Sequence, residues 1–138
     1  MDMSSDLRTG RHCTFVMHVH LVFVTKYRRK VFTKQILDEL GKIFAKVCND
    51  FEAELVEFDG EYDHVHLLIN YPPKVAISKL VNSLKGASSQ VIRKKGYPAI
   101  QQALWGGSLW SRSYFAGSCG GAPIDLIKKY IEEQSTPK

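Results

Sequence analysis

Nowhere does the chain assemble the ~20 consecutive apolar residues that a membrane span requires, and its first eleven residues lack the hydrophobic stretch of a secretion signal. Cysteine is scarce. Cys13, Cys48 and Cys119 are odd in number, widely spaced and match no zinc-binding pattern. That argues against a disulfide framework and suggests free thiols in a reducing compartment. Internal repeats and low-complexity segments are absent as well, which excludes solenoids and tethering linkers. Together these absences suggest a cytoplasmic protein. Its 138 residues suffice for one hydrophobic core and leave little for a second. The expectation is a single domain over residues 12–138 behind a flexible tail at 1–11.

What is present is positive charge. A net charge of +5 and a pI near 9.1 suggest an acidic partner, of which nucleic acid is the commonest. Two clusters carry much of it: Lys26, Arg28, Arg29 and Lys30, then Lys85, Arg93, Lys94 and Lys95. With Ser88 inside the second, these could flank a phosphate-binding surface. Tyr27, Trp105, Trp110 and Tyr114 could stack on unpaired bases. A solvated charged face and core aromatics explain the same residues equally well, and the tryptophan-bearing stretch reads better as core.

The pattern along the chain sets the architecture. Residues 13–25 are rich in β-branched and aromatic side chains and predict a strand. Thr33 suits the N-cap of a helix reaching about Asn49, with Ile36, Leu40, Ile43, Phe44 and Val47 at helical spacing. Strands at 53–58 and 64–70 with a turn at Asp59-Gly60 read as a hairpin. Ser78 suits the cap of a second helix ending at Lys95, before Gly96-Tyr97-Pro98. After a poorly periodic stretch, residues 109–116 predict a fourth strand. Gly117, Gly120 and Gly121 suggest a flexible joint, and Pro123 opens a last helix to about Gln134. This order, βαββαβ plus a helix, is the ferredoxin-like α+β arrangement, an RRM-like antiparallel sheet with helices on one face.

Two H-x-H pairs lie in the predicted strands, His18-Val19-His20 and His64-Val65-His66. Strand alternation puts both imidazoles of each pair on one face. Taken alone, either pair is ordinarily a hydrogen-bonded surface feature, because two ligands do not make a metal site. The first pair keeps that reading. The second follows Asp63, and the last helix offers Tyr130 and Gln134 one turn apart on one face. Two imidazoles and an amide oxygen would leave a divalent ion open positions for phosphate oxygens. Imidazole suits manganese better than magnesium. A metal there polarises a phosphodiester. Tyr130, beside Lys128 and Lys129, is the candidate nucleophile, although its phenol, with an ordinary pKa of ~10, needs nearby positive charge or metal to react. A tyrosine in an amphipathic helix is more commonly packing.

Five segments in order resemble a known family: residues 20–32 ending T-K-Y-R-R-K-V-F, D-H-V-H-L-L-I at 63–69, L-K-G-A-S-S at 84–89, L-W-G-G-S-L-W-S-R-S-Y-F at 104–115, and G-G-A-P-I-D-L-I-K-K-Y-I-E-E-Q at 120–134. The chain resembles the single-tyrosine transposases of small bacterial insertion sequences, within the His-hydrophobic-His endonuclease group, over nearly its whole length. The resemblance implies that His64, His66 and Gln134 bind the catalytic Mg2+ or Mn2+ and that Tyr130 attacks a DNA phosphate. The implied products are a 5′-phosphotyrosine link and a free 3′-OH. It further implies single-stranded DNA with hairpins at element ends as partner, and a homodimer whose C-terminal helix completes the partner's site. Two alternatives stand beside it. One is a replication initiator or relaxase, which the short chain disfavours. The other is a non-catalytic ferredoxin-like nucleic-acid binder.

Overall fold

The structure, a computed structural model, describes residues 7–104, 107–118 and 124–134. Four strands form one antiparallel sheet in the order β4-β5-β3-β6: β3 (His18–Val24), β4 (Glu54–Gly60), β5 (His64–Asn70) and β6 (Phe115–Ser118). β3 and β5 are therefore central, as the ferredoxin-like order requires. They pair with Val22 opposite His66 and Val24 opposite His64.

Alternation gives the sheet two unlike faces. Leu21, Phe23, Val65, Leu67 and Ile69 point to one face and are fully buried. Helices α1 (Lys34–Asp50) and α2 (Ile77–Lys94) cover it with Ile36, Leu40, Phe44, Leu80, Leu84 and Ile92. Thr33 caps α1 by accepting from the Ile36 N–H at 3.2 Å, satisfying one of the four free amides of the first turn. Trp110 closes the core edge-on to Phe23, with ring centroids 5.7 Å apart. On the opposite face stand His20, Val22, Val24, His64 and His66. A short helix α3 (Pro98–Leu104) and the last helix α4 (Ile124–Glu132) complete the chain. Ile131 of α4 packs against Val22 and Val24, so α4 lies on that second face.

Several expectations are corrected. The strand expected over 13–25 is two, β2 (Cys13–Phe15) and β3, and the tail expected through residue 11 is not wholly tail. Its β1 (Arg8–Gly10) pairs with β2, and the Arg8 guanidinium anchors it by donating to the carbonyls of Asn70 (3.2 Å) and Glu52 (2.7 Å). No apolar periodicity announces that. The hairpin turn falls at residues 61–63, since β4 runs through Gly60. Ser78 is not a cap: α2 starts at Ile77 behind Ala76, without a side-chain cap bond. α3 fills the stretch that lacks clear periodicity. The strand expected over 109–116 begins only at Phe115, with Trp110 making a lone bridge to Thr25. Its carbonyls are otherwise engaged: those of Ser111, Arg112 and Ser113 all accept from Lys85 Nζ, at 2.8, 3.3 and 2.8 Å. Gly117 is not part of a joint but pairs within β6 opposite His20. Gly120, Gly121, Trp105, Cys119 and Pro123 lie outside the described residues.

Candidate active site on the open face of the sheet

β5 presents His64 and His66 side by side on the face that α1 and α2 leave uncovered, with ring centroids 4.9 Å apart and planes nearly perpendicular. His64 is held from behind. Its Nδ1 lies 2.8 Å from Oδ1 of Asp63, both residues being buried. A carboxylate only accepts, so Nδ1 carries the proton of this bond, and in the neutral ring the lone pair then lies on Nε2. The other Asp63 oxygen takes a 3.4 Å bond from Arg28 Nε. Glu61 brings Oε2 to 3.8 Å from His64 Nε2. Burial first, then the neighbouring imidazoles of His64 and His20, push His66 down to about 4, so it is neutral at physiological pH.

This donor set suits a divalent ion of the manganese type. There are two imidazoles on one face, one with its outward lone pair fixed by a carboxylate as metal-binding histidines usually are. It is not complete by itself. Among the described residues no three His, Cys, Asp or Glu side chains converge as a metal site.

Arg28 belongs to the basic cluster, which is a built loop rather than a loose charge run. Lys26–Arg28 form a 3-10 turn in which Tyr27 and Arg28 take φ of 62° and 54°, a region that non-glycine residues enter at a cost. The surroundings fix it. Thr25 N–H donates to Asp63 O, Thr25 Oγ1 to Arg29 O, and Lys26 N–H to Leu109 O. The basic loop and the histidine strand thus share Asp63.

Tyr130 and Gln134 sit on the same side. Tyr130 packs against the cluster of Val22, Val24 and Ile131, and Val22 and Val24 pair opposite His66 and His64. The Tyr130 hydroxyl shares a 2.7 Å hydrogen bond with Ser113 Oγ, and its ring packs at 5.9 Å from Phe115. Gln134 Oε1 accepts from Ser111 (3.2 Å) and Ser113 (3.1 Å). No hydrogen bond or ring contact among the described residues joins either of them to His64 or His66. Burial raises the Tyr130 phenol above its ordinary value, and the Ser113 bond works against that rise. Lys85 organises this cradle through the three carbonyls of residues 111–113. Burial pushes its ammonium down to about 8, while those carbonyls favour the charged form.

The other expected site residues divide. Lys26, Arg29 and Lys30 lie on or next to the basic loop, and Arg93 lines a groove between α2 and residues 108–114. Ser88 is corrected. It is fully buried, donates to Leu84 O at 2.7 Å and accepts from Trp110 Nε1 at 2.9 Å, so it faces the core and no ligand. Sequence reasoning singles out Asp63 beside His64 without giving it a role, and it misses Ser111 and Ser113 as holders of the tyrosine helix. Asp63 was visible as a carboxylate adjoining a histidine. The serines had no signal, because nothing local says that residues 111–113 meet α4.

A family model for IS200-like transposases matches residues 13–134, which include every element of this site. The chain belongs to the IS200-like transposase family. It is 33% identical over 129 residues to the ISDra2 transposase TnpA of Deinococcus radiodurans, covering 94% of this chain and 91% of that one. It is 30% identical over 131 residues to the transposase for insertion sequence element IS200 of Salmonella typhimurium, covering 93% and 86%. A crystal structure of a transposase from Deinococcus radiodurans superposes with a TM-score of 0.85 at 32% identity, over 94% of this chain and 99% of that one. A REP-associated tyrosine transposase, solved bound to a REP hairpin, shares the fold at a TM-score of 0.53 and 14% identity, over 84% and 62%. As an IS200-like transposase the protein is a DNA-cleaving enzyme. No helix among its described residues is long and apolar enough to cross a membrane.

Proposed function

We propose that this transposase cleaves and rejoins single-stranded DNA at insertion-sequence ends through a 5′-phosphotyrosine link to Tyr130. The observation that carries the reading is the His64–His66 pair, displayed on the open face with His64 fixed by Asp63. His64 and His66, with Gln134, would hold Mg2+ or Mn2+, which when bound supplies Lewis acidity to a phosphodiester. The Tyr130 oxygen attacks phosphorus and loses its proton to solvent. The bond from phosphorus to the 3′-oxygen breaks, and that oxygen takes up a proton as a free 3′-OH. One ester replaces another, so the 3′-OH can reverse the step and rejoin strands without ATP. The basic loop at Lys26, Arg28, Arg29 and Lys30 would grip backbone phosphates. A transposase that shares the fold was solved bound to a REP hairpin, which is in keeping with hairpin DNA as the partner.

In one chain Tyr130 and Gln134 spend their hydrogen bonds on Ser111 and Ser113 and make none to the histidines. This favours a homodimer in which α4 completes the site of the other subunit. Incubation of the protein with Mn2+ and a labelled hairpin carrying single-stranded flanks should give a covalent adduct that Tyr130→Phe abolishes. Binding with no adduct would instead mark a non-catalytic binder. Mixed dimers of Tyr130→Phe and His64→Ala chains should regain cleavage. If mixing restores nothing while wild type cuts, assembly between subunits is wrong.

A further inference from the structure

Next to the histidine pair lies an open cavity of about 400 Å³ that the transesterification does not use, lined by His20, Glu57, Phe58, Asp59, His66 and Leu68. We propose that it receives one unpaired DNA base carrying an exocyclic amino group, beside the phosphate that is cut. The cavity sits over three strands of the open face, where His20 pairs opposite Leu68, Glu57 opposite Leu68, and Asp59 opposite His66.

Its chemistry differs from that of the basic loop. Leu68 supplies apolar surface, and the His20 and His66 rings, 5.6 Å apart and tilted by 37°, supply π-faces on which a base can rest. The polar groups at the rim are carboxylates. Asp59 uses Oδ1 to accept from the Gly60 N–H at 2.8 Å, leaving Oδ2 for a ligand, and Glu57 is exposed. Carboxylates repel a phosphate and accept N–H groups. The backbone is therefore turned away while a donor-bearing base edge is welcomed. Guanine, adenine and cytosine each offer an amino group. Thymine offers a single N–H between two carbonyl oxygens that would face the carboxylates.

Position completes the case. His66 is a wall of this cavity and a member of the metal-binding pair, so a nucleotide whose phosphate rests at His64 and His66 lays its base one sugar away, against His20. This step rests on the proposed function only for the place of the phosphate.

The test is the imidazole carbon–proton NMR spectrum of the full protein in Mg2+, titrated with dGMP, dAMP, dCMP and dTMP. The His20 and His66 signals should shift at about tenfold lower concentration of the three amino-bearing nucleotides than of dTMP. Joint Glu57→Gln and Asp59→Asn substitution should erase that difference and leave the dTMP response in place. Equal response to all four, no movement of His20, or discrimination that survives the double substitution would overturn the pocket. The adduct assay on hairpin DNA is read separately. Adduct without discrimination sinks the pocket alone, and discrimination without adduct sinks the covalent chemistry alone.

Discussion

Asp63 is the residue on which most of the site turns, because it touches His64, Arg28 and the backbone of Thr25 at once. Asp63→Asn cannot hold the Nδ1 proton of His64 with a charge. Calorimetric titration with Mn2+ should show affinity falling about 10–100-fold, the usual effect of losing such an outer partner. At Tyr130 the balance is between burial, which raises the phenol, and the Ser113 hydroxyl, which lowers it. Ser113→Ala removes the lowering influence, so the phenol should titrate still higher. A carbon-13 titration of the tyrosine ring would read that directly, and adduct formation should need a higher pH. Ser88 was expected at a DNA surface and is instead the buried acceptor for Trp110. Ser88→Val leaves that indole N–H without a partner and should destabilise the fold by about 1–3 kcal/mol in denaturant titration. The alternation in H-V-H could be read because it is local geometry. The buried role of Ser88 could not, because it depends on an indole twenty-two residues away in sequence.

At the scale of elements, legibility follows periodicity. α1, with its cap at Thr33, its stripe at Ile36, Leu40 and Phe44, and β5 at His64–Asn70 are where the pattern puts them. α3 and β1 are too short for a period to show, and each is held by contacts from distant segments. Gly60, expected in the turn, is the end of β4, where its place is set by crowding. A Cβ there would lie 2.7 Å from Leu37 Cδ2, 3.1 Å from Val65 Cγ1 and 3.2 Å from the His64 carbonyl oxygen. Leu37 can swing aside, but the backbone oxygen cannot. Gly60→Ala should therefore lower the melting temperature and displace the His64 imidazole signals. A change at Gly86, where nothing lies within 4 Å, should do neither. The position of α4 was the least legible part of the site. Tyr130 and Gln134 share a helix face by spacing, yet which serines meet that face is settled only by the fold.

For the whole molecule, the histidine face links stability to pH. His66 is pushed from 6.5 to about 4 when folded, so the unfolded chain takes up its proton first as acid is added. The contribution is fully present above pH 6.5 and is lost as pH falls from there through about 4. Wild-type unfolding curves should weaken across that window, and His66→Gln should flatten the decline. Within the proposed site, β5 is the fixed part. β5 is hydrogen-bonded along both edges, to β4 and to β3, at the middle of the sheet. A strand so placed opens only when the domain does. The cell therefore has no partial way to disarm the imidazoles by loosening their backbone. Under the proposed function, a factor that restrains this transposase would act on α4 or on the DNA at that face and not on β5.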